Sequence, residues 1–258
     1  MIELVQLVKK FGDLAAVDGV TLTVQRGEFF ALLGPNAAGK TTTIKLLAGL
    51  MKPTSGTAKV AGWDVQTQSL EARRRLAYVP DFPFLYDKLT PLEFLRFTGQ
   101  LFRMPDEQIS AGVEDLVKRF NLQEYLNKPI EGLSHGTRQR VAIVSALLHA
   151  PEVIILDEPM VGLDPHHARV LKDVLKENSD RGVTVFVSTH QLSVAEELAD
   201  RIGIMHQGRL IAVGSREELR KLSGTTGALE QTFLRLTAQE ANLNEEIARP
   251  GARKHGTL

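Results

Sequence analysis

One short segment constrains this chain more than any other. Residues 29–33 are apolar at every position, a glycine-rich loop follows from Gly34 to Thr41, and helical spacing then runs over residues 39–50. A strand without a polar face has to be covered on both sides, as the strands of parallel sheets are. The pattern therefore predicts a mainly parallel sheet with helices on both faces, the α/β class.

The rest of the chain agrees with this expectation. Near the N-terminus, segments alternate apolar and polar residues, as strands with one solvated face do. A block of amphipathic helical patterns follows, opened by a capping box at Thr90 and Glu93, and then strands and helices alternate again. The predicted strands are residues 2–9, 20–24, 57–65, 153–156, 183–188 and 202–205. The predicted later helices are 91–102, 106–120, 136–149, 166–178, 194–199 and 228–236.

Composition narrows the classes of function. The 31 Lys and Arg balance the 31 Asp and Glu, so the chain lacks the basic field on which non-specific nucleic-acid binding relies. The absence of cysteine excludes disulfides, thiolate zinc sites and thiol catalysis, and it fits a reducing cytosol. No apolar run approaches the ~20 residues of a membrane-spanning helix, and we see no signal peptide. We expect a cytoplasmic protein that reaches a membrane only through a partner.

The loop after the first apolar segment matches the phosphate-binding pattern G-x-x-x-x-G-K-[ST]. Its glycines let successive N–H groups point at one anion, and the helix N-terminus adds positive potential. Lys40 would reach the β- and γ-phosphates, the Thr41 hydroxyl would ligate Mg²⁺, and Thr42 would contact the α-phosphate. The alternative is an ordinary glycine-rich turn. The loop residues are Gly34, Pro35, Asn36, Ala37, Ala38, Gly39, Lys40 and Thr41.

Two carboxylates, Asp157 and Glu158, end the apolar segment 153–156. Ligands of open α/β sheets bind at the carboxyl ends of strands, so both are expected beside the phosphate loop. Asp157 would hold Mg²⁺, directly or through water, and Glu158 would take a proton from the attacking water. His190 follows the segment 183–189 and reaches the same edge, where a neutral imidazole would bind the γ-phosphate or orient water. By itself, a histidine at a strand end is more often structural.

One further segment points to a family. Leu133-Ser134-His135-Gly136-Thr137-Arg138-Gln139-Arg140 resembles the ABC signature, Leu-Ser-Gly-Gly-Gln, with its Gln-Arg continuation. In the same comparison, residues 34–42 resemble Walker A, 154–158 Walker B, 162–164 the D-loop and 188–190 the switch-histidine loop. Up to about residue 236, the chain resembles the ATP-binding subunit of an ABC transporter.

The resemblance implies a P-loop NTPase fold, with a mainly parallel core, an antiparallel β subdomain and an α-helical subdomain. Residues 1–85 and 151–214 would form the ATP-binding core with its N-terminal β subdomain. Residues 86–150 would form the helical subdomain with the signature, 215–240 the C-terminal helices and 241–258 a mobile tail.

The resemblance also implies a mechanism that uses ATP and Mg²⁺. Two nucleotide-binding subunits, identical or different, would face each other head to tail, and Ser134 and Gly136 of one would cover the γ-phosphate held by the other. Asp164 of the D-loop would lie at the same nucleotide. Phe11 would stack on adenine with Val17 lining the base, the alternative for Phe11 being hairpin packing. Transmembrane permease subunits would hold the protein at the inner face of the cell membrane, and no nucleic acid is expected as a partner.

Several positions depart from the family pattern. Asp81 stands where the Q-loop carries glutamine, and it would ligate Mg²⁺ unless it is only a turn acid. His135 replaces a glycine and Thr137 a glutamine of the signature. Ala37 stands where many members have glycine, at a position that the pattern leaves open. We interpret the neighbouring histidines 166 and 167 as a solvated helix start and not as a metal pair, because adjacent helical residues diverge.

These residues favour an ATPase subunit that powers transport through separate membrane subunits. The substrate and the direction stay open, although residues 229–234 resemble subunits of bacterial exporters. One alternative is a soluble ABC ATPase outside transport, which usually carries two cassettes or a long coiled coil. The other is a nucleotide-gated binding subunit with little turnover, which the departures at Asp81, His135 and Thr137 favour and the presence of Glu158 and His190 opposes.

Overall fold

The computed structural model describes residues 1–224 and 228–248, with side chains up to Ala238, and this part forms ten strands and nine α-helices. The strands are β1 (Ile2–Phe11), β2 (Leu14–Val24), β3 (Phe29–Leu33), β4 (Ser55–Val60), β5 (Trp63–Asp64), β6 (Leu76–Val79), β7 (Val153–Asp157), β8 (Thr184–Thr189), β9 (Arg201–His206) and β10 (Arg209–Gly214). The helices are α1 (Lys40–Leu47), α2 (Ser69–Arg74), α3 (Pro91–Leu101), α4 (Asp106–Arg119), α5 (His135–Leu147), α6 (Pro165–Asp180), α7 (Leu192–Leu198), α8 (Arg216–Ser223) and α9 (Leu229–Ala248).

The strands form two sheets. The larger has the order β10-β9-β3-β8-β7-β6, and its strands pair in parallel except for β10, which runs antiparallel to β9. The smaller is fully antiparallel, in the order β2-β1-β4-β5. The predicted fold class, a mainly parallel core with an antiparallel β subdomain, is confirmed.

The central strand β3 shows why the larger sheet needs cover on both faces. All five of its residues are buried. Side chains alternate along a strand, so Phe29 enters the core beneath the helical block, whereas Phe30 enters the core shared with α1 and the smaller sheet. There Phe30 stacks on Phe186 of β8, with ring centroids 5.3 Å apart. The apolar run therefore builds two cores and holds the strand ends rigidly between them.

Four elements differ from the sequence prediction, and one of them is strand β6, which is not among the predicted strands. Helix α2 was not predicted, because only Ala72 of its six residues is buried and no apolar stripe marks it. Strand β10 was missed with its turn, in which Gln207 and Gly208 both have positive φ, as tight hairpin turns require. Helix α9 is longer than expected and includes residues 241–248, which we had assigned to the tail; residues 249–258 lie outside the described residues.

The division of the chain into core, helical subdomain, C-terminal helices and tail stays a prediction. Within the described residues, no helix is both long enough and apolar enough to cross a membrane.

A histidine lies at the contact between two helices of the helical block. His149, just beyond the end of α5, stacks on Phe102 at the end of α3, with ring centroids 3.7 Å apart. Burial lowers the pKa of His149 to about 4, because a charged imidazole is poorly solvated there. This contact therefore depends on a neutral ring.

We expect this histidine to make the fold sensitive to acid. The unfolded chain takes up the proton near pH 6.5 and the folded chain only near pH 4, so stability is complete above 6.5 and is lost as the pH falls towards 4. The loss amounts to about 3 kcal/mol in the free energy of unfolding. Urea unfolding between pH 7 and 4 should show a weaker pH dependence in His149→Leu. The exposed His166→Leu is the control, and equal slopes for all three proteins would contradict this account.

Candidate active site

A pocket of about 400 Å³ opens at the carboxyl ends of the parallel strands. The loop after β3 forms its floor, Glu158 enters after β7, and Asp81 enters two residues after β6. The strand-end rule thus placed the phosphate loop and the carboxylates on one edge of the sheet. The pocket is lined by Phe11, Leu14, Ala16, Pro35, Asn36, Ala37, Ala38, Gly39, Lys40, Thr41, Thr42, Asp81 and Glu158.

Gly39 lets the loop pack against β2. Its φ is 103°, and a Cβ there would lie 2.3 Å from the carbonyl oxygen of Ala16, so only glycine fits. Ala37 also adopts a left-handed conformation, with φ 63°. The pattern leaves that position open, but the backbone favours glycine, and alanine costs about 1 kcal/mol there. The loop therefore carries some strain where it faces the pocket.

Lys40 is almost buried and lies along its own loop. Its Nζ donates to the carbonyl oxygens of Gly34 at 2.7 Å and Pro35 at 3.2 Å, and it lies 3.6 Å from Oε1 of Glu158. Gly34 does not line the pocket, but its carbonyl holds this ammonium group. An incoming phosphate competes with these oxygens for the same three hydrogens.

Glu158 lies between the lysine and His190. Its Oε2 is 2.9 Å from Nδ1 of His190 and also accepts from the His190 backbone N–H at 3.3 Å. Its own N–H donates to the carbonyl oxygen of Ser188 at 3.0 Å, and its φ is 47°. A left-handed glutamate persists only where its surroundings hold it, which is common at functional sites. The predicted base and histidine are therefore brought together, with the carboxylate directed at the pocket.

Asp157 is fully buried beside them. One carboxylate oxygen accepts from the Ser188 hydroxyl, while Oδ2 has no hydrogen-bond partner among the described residues. Burial raises the pKa of Asp157, and hydrogen bonds from Ser188 and Thr41 oppose that effect. A buried carboxylate oxygen without a partner is costly unless a ligand satisfies it.

The oxygen ligands at this position fit Mg²⁺. The hydroxyl of Thr41 lies close enough to the carboxylate of Asp157 to lower its pKa, and Thr41 and Asp81 line the same pocket. Hard oxygen ligands of this kind are those that Mg²⁺ prefers, and it usually takes the rest from phosphates and water. The described residues hold no cluster of three or more His, Asp or Glu that would bind a metal without a nucleotide.

Of the two residues expected at the adenine base, Phe11 lines the pocket and Val17 does not. Phe11 is half exposed at the end of β1 and lines the pocket, which fits a stacking role. Val17 is fully buried in the core, so the expectation that it lines the base is wrong. Since side chains alternate along β2, Leu14 and Ala16 lie on the pocket side instead.

Ser134, Gly136 and Asp164 do not line the pocket of their own chain. Ser134 caps α5 by accepting from the N–H of Thr137 at 3.3 Å, and Asp164 caps α6 by accepting from the N–H of His167 at 3.0 Å. The two helix starts touch, since a Cβ on Gly136 would lie 2.5 Å from the carbonyl oxygen of Gly162. One chain thus carries the pocket and, elsewhere, a second surface, which we call the signature surface and define as Ser134, Gly136 and Asp164.

The expectation of a solvated helix start at the two histidines is half right. His166 is exposed and contacts the amide of Asn121 at 3.3 Å. His167 is mostly buried between Asp164 and Arg140, to which its ring nitrogens lie at 2.5 and 2.9 Å. Hydrogen bonds from the backbone N–H and the ring of His167 lower the pKa of Asp164 to about 2. Neither this contact nor the hydrogen bond of Ser188 has a local signal in the sequence, so neither was predicted.

Comparison with known proteins agrees with this geometry. The model of the ABC transporter family matches residues 17–161. The chain is 38% identical over 240 residues to the probable multidrug ABC transporter ATP-binding protein YbhF of Escherichia coli (strain K12), covering 92% of this chain but 41% of YbhF. It is 32% identical over 252 residues to the linearmycin resistance ATP-binding protein LnrL of Bacillus subtilis (strain 168), covering 95% of this chain and 81% of LnrL.

Solved structures agree as well. An ATP-binding subunit of an ABC transporter superposes with a TM-score of 0.88 at 34% identity, over 92% of this chain and 99% of that one. The dimeric post-hydrolysis structure of the ATP-binding cassette MJ0796, bound to ADP and Pi, superposes with a TM-score of 0.76 at 28% identity, over 83% and 98%. From the family match and these similarities, the chain belongs to the ABC transporter family, as one of its ATP-binding subunits.

Proposed function

We propose that this chain powers export by hydrolysing ATP at an interface with a second nucleotide-binding subunit. The observation that carries the proposal is the separation of the pocket from the signature surface within one chain. Lys40 lines the pocket, and the signature surface presents the N-terminus of α5 with its exposed cap, Ser134. A head-to-tail pair joins each pocket to the other chain's signature surface. The dimeric MJ0796 structure supports such a pair.

Binding of ATP would rearrange Lys40. Adenine stacks on the exposed ring of Phe11, and the loop N–H groups and Thr42 receive the phosphates. Lys40 leaves the carbonyls of Gly34 and Pro35 for the β- and γ-phosphate oxygens, since a hydrogen bond between two charged groups is stronger. Its departure also frees Glu158 from the 3.6 Å ion pair.

Thr41, Asp157 and Asp81 are the residues that would hold Mg²⁺ beside the phosphates. When bound, the ion neutralises charge on the β- and γ-phosphate oxygens. The unpartnered Oδ2 of Asp157 supports this assignment, since it is a buried carboxylate oxygen that no donor among the described residues satisfies.

Hydrolysis would then follow from the position of Glu158. A water aligned with the γ-phosphorus gives a proton to the Glu158 carboxylate as its oxygen bonds to phosphorus, and the bond to the β-phosphate oxygen breaks. His190 holds the carboxylate through Nδ1 at 2.9 Å and so keeps the base directed at the water. The ionised Asp81 cannot donate a hydrogen bond to that water, which favours slow turnover as the second candidate behaviour.

A second face of the protein fits a membrane subunit. Two adjoining grooves, of about 320 and 410 Å³, share Arg73 and Phe102 and expose apolar side chains. Three leucines there are more than half exposed, and three arginines surround them. We place at this face an amphipathic helix of a membrane subunit with carboxylates opposite the arginines, which would keep the chain at the cytoplasmic side of the membrane. The residues are Leu50, Leu70, Leu101, Arg73, Arg74 and Arg103.

The names of relatives support export. YbhF is a probable multidrug transporter component and LnrL a linearmycin resistance component. Because this chain spans 41% of YbhF, the substrate and the partner subunits are not carried over from that protein.

Replacing Lys40 tests nucleotide binding. Lys40→Ala should raise the dissociation constant for ATP about 30-fold or more, because a buried ammonium group that binds two phosphates is lost. Lys45→Ala, on the same helix but outside the pocket, is the control. Calorimetric titration measures both, and equal affinities would remove Lys40 from the site.

Replacing Glu158 tests hydrolysis. Glu158→Gln should still bind ATP, because the phosphate loop and Lys40 are unchanged, but it should release phosphate about 10²- to 10⁴-fold more slowly without a base. Steady-state phosphate release is compared with wild type and with the exposed Glu124→Gln. If Glu158→Gln and wild type release phosphate equally, Glu158 is not the base; if wild type barely turns over, the gated binding subunit is the better description.

Replacing Leu101 tests the docking face. Leu101→Glu replaces an exposed leucine of the larger groove with a carboxylate, so the chain should no longer co-purify with the membrane subunit that the wild type retains from detergent-solubilised membranes. ATP binding should not change, since Leu101 does not line the pocket. Leu234→Glu, at a leucine of α9 that is also more than half exposed, is the control. Full retention of the membrane subunit by Leu101→Glu would place docking on another face.

A further inference from the structure

A chain of hydrogen bonds links the starts of α6 and α5. His167 Nδ1 lies 2.5 Å from Asp164, and Nε2 lies 2.9 Å from Nη1 of Arg140. Arg140 Nη2 donates to Oγ1 of Thr137 at 3.0 Å, and that oxygen lies 2.9 Å from Oγ of Ser134. We call the five residues Asp164, His167, Arg140, Thr137 and Ser134 the relay.

The relay is built into the body of the protein. Arg140 and Thr137 are buried, and His167 is 16% exposed at its side chain. Arg140 is held further by the carbonyl oxygens of Phe120 at 2.8 Å and Asn121 at 3.0 Å. The middle of the relay is therefore buried, and its two ends, Ser134 and Asp164, are exposed caps of α5 and α6.

The direction of each proton in the relay follows from the chemistry of its ends. The ionised Asp164 accepts only, so Nδ1 of His167 must carry the hydrogen that meets it. Arg140 donates only, so Nε2 of His167 must be the acceptor. His167 is therefore neutral, in the Nδ1–H tautomer. The charged groups around its ring are Asp164, Arg140 and, at 5.2 Å between ring centroids, the titratable His166. A second ring proton would point at the guanidinium group.

Ser134 contacts a hydroxyl group that can donate or accept. Oγ1 of Thr137 accepts from Arg140, and its own hydrogen is available for Ser134. Oγ of Ser134 also accepts from the Thr137 N–H at 3.3 Å. When Thr137 donates in the contact between the two hydroxyls, the hydrogen of the Ser134 hydroxyl has no partner in the relay and is free to point outward. In that orientation Ser134 can donate a hydrogen bond to a phosphate oxygen.

We propose that His167 is a positioning residue that, through Arg140 and Thr137, orients Ser134 as a hydrogen-bond donor to the triphosphate of the facing subunit. The proposal rests on the proposed function, because Ser134 meets a nucleotide only in a head-to-tail pair. Thr137 thereby takes a defined part at the position where the family signature carries glutamine. The relay also ties Ser134 to Asp164, so both caps of the signature surface approach the partner as one unit.

The relay is tested by measuring how tightly two chains associate in the presence of ATP. The full chain with Glu158→Gln is titrated in the presence of Mg²⁺ and ATP, and the dimer dissociation constant is measured by sedimentation. Adding His167→Ala or Thr137→Val should weaken the dimer about tenfold or more, since each of two sites loses an oriented hydrogen bond. His167→Gln, which offers both an acceptor and a donor, should recover most of the loss.

The controls separate orientation from stability. His166→Ala, the neighbouring histidine outside the relay, should leave the dimer constant unchanged. ATP binding to the monomer, which uses the pocket, should be equal in all variants. In ¹⁵N spectra of the imidazoles, His167 should show a protonated Nδ1 and a bare Nε2, a signature that a merely structural role does not require.

The outcomes distinguish the two proposals. If Glu158→Gln alone binds ATP but forms no dimer, the paired site is wrong and the relay falls with it. If that dimer forms but His167→Ala and Thr137→Val close as tightly as His166→Ala, or if His167 is the Nε2–H tautomer, the relay is overturned and the proposed function stands.

Discussion

Burial of the parallel strands on both faces is the constraint on which the rest of the structure depends. It requires cover on both sides of β3, β8 and β7, and because these strands are parallel, the phosphate loop and the carboxylates lie at one edge. The middle strand, β8, then supplies the partners of both carboxylates: Ser188 donates to Asp157, and His190 follows the strand to meet Glu158. A rigid sheet with two cores therefore sets distances that a loop-borne site would not hold.

Two of the charged groups of the pocket, Lys40 and Glu158, are paired with each other. Lys40 donates hydrogen bonds to two carbonyl oxygens and forms an ion pair with Glu158. The proposed base is therefore paired with the phosphate-binding lysine. In the proposed function, Lys40 moves to the phosphate oxygens of ATP. The Glu158 carboxylate is then available to accept a proton from the attacking water. Binding and the availability of the base are thus coupled through one 3.6 Å ion pair.

The side chains of the signature surface are held by helix capping. Ser134 and Asp164 are helix caps, and the contact between Gly136 and Gly162 holds the two helix starts together. Ser134 and Asp164 form hydrogen bonds to groups inside the protein. These bonds fix the orientation of the two side chains, which are themselves exposed. The pocket and the signature surface lie at different places on one chain. In the proposed function, two chains therefore form a complete site only when they pair.

Local patterns in the sequence determined much of this protein. They predicted the buried strands, the capped helices, the loop after β3, and the carboxylates and His190 at strand ends, because periodicity, caps and turn chemistry depend on near neighbours. Only the tertiary structure decided that Ala16 and not Val17 faces the pocket, that Ser188 meets Asp157, and that His167 meets Arg140. These contacts depend on strand register and helix packing across long separations in the chain, which no local pattern encodes.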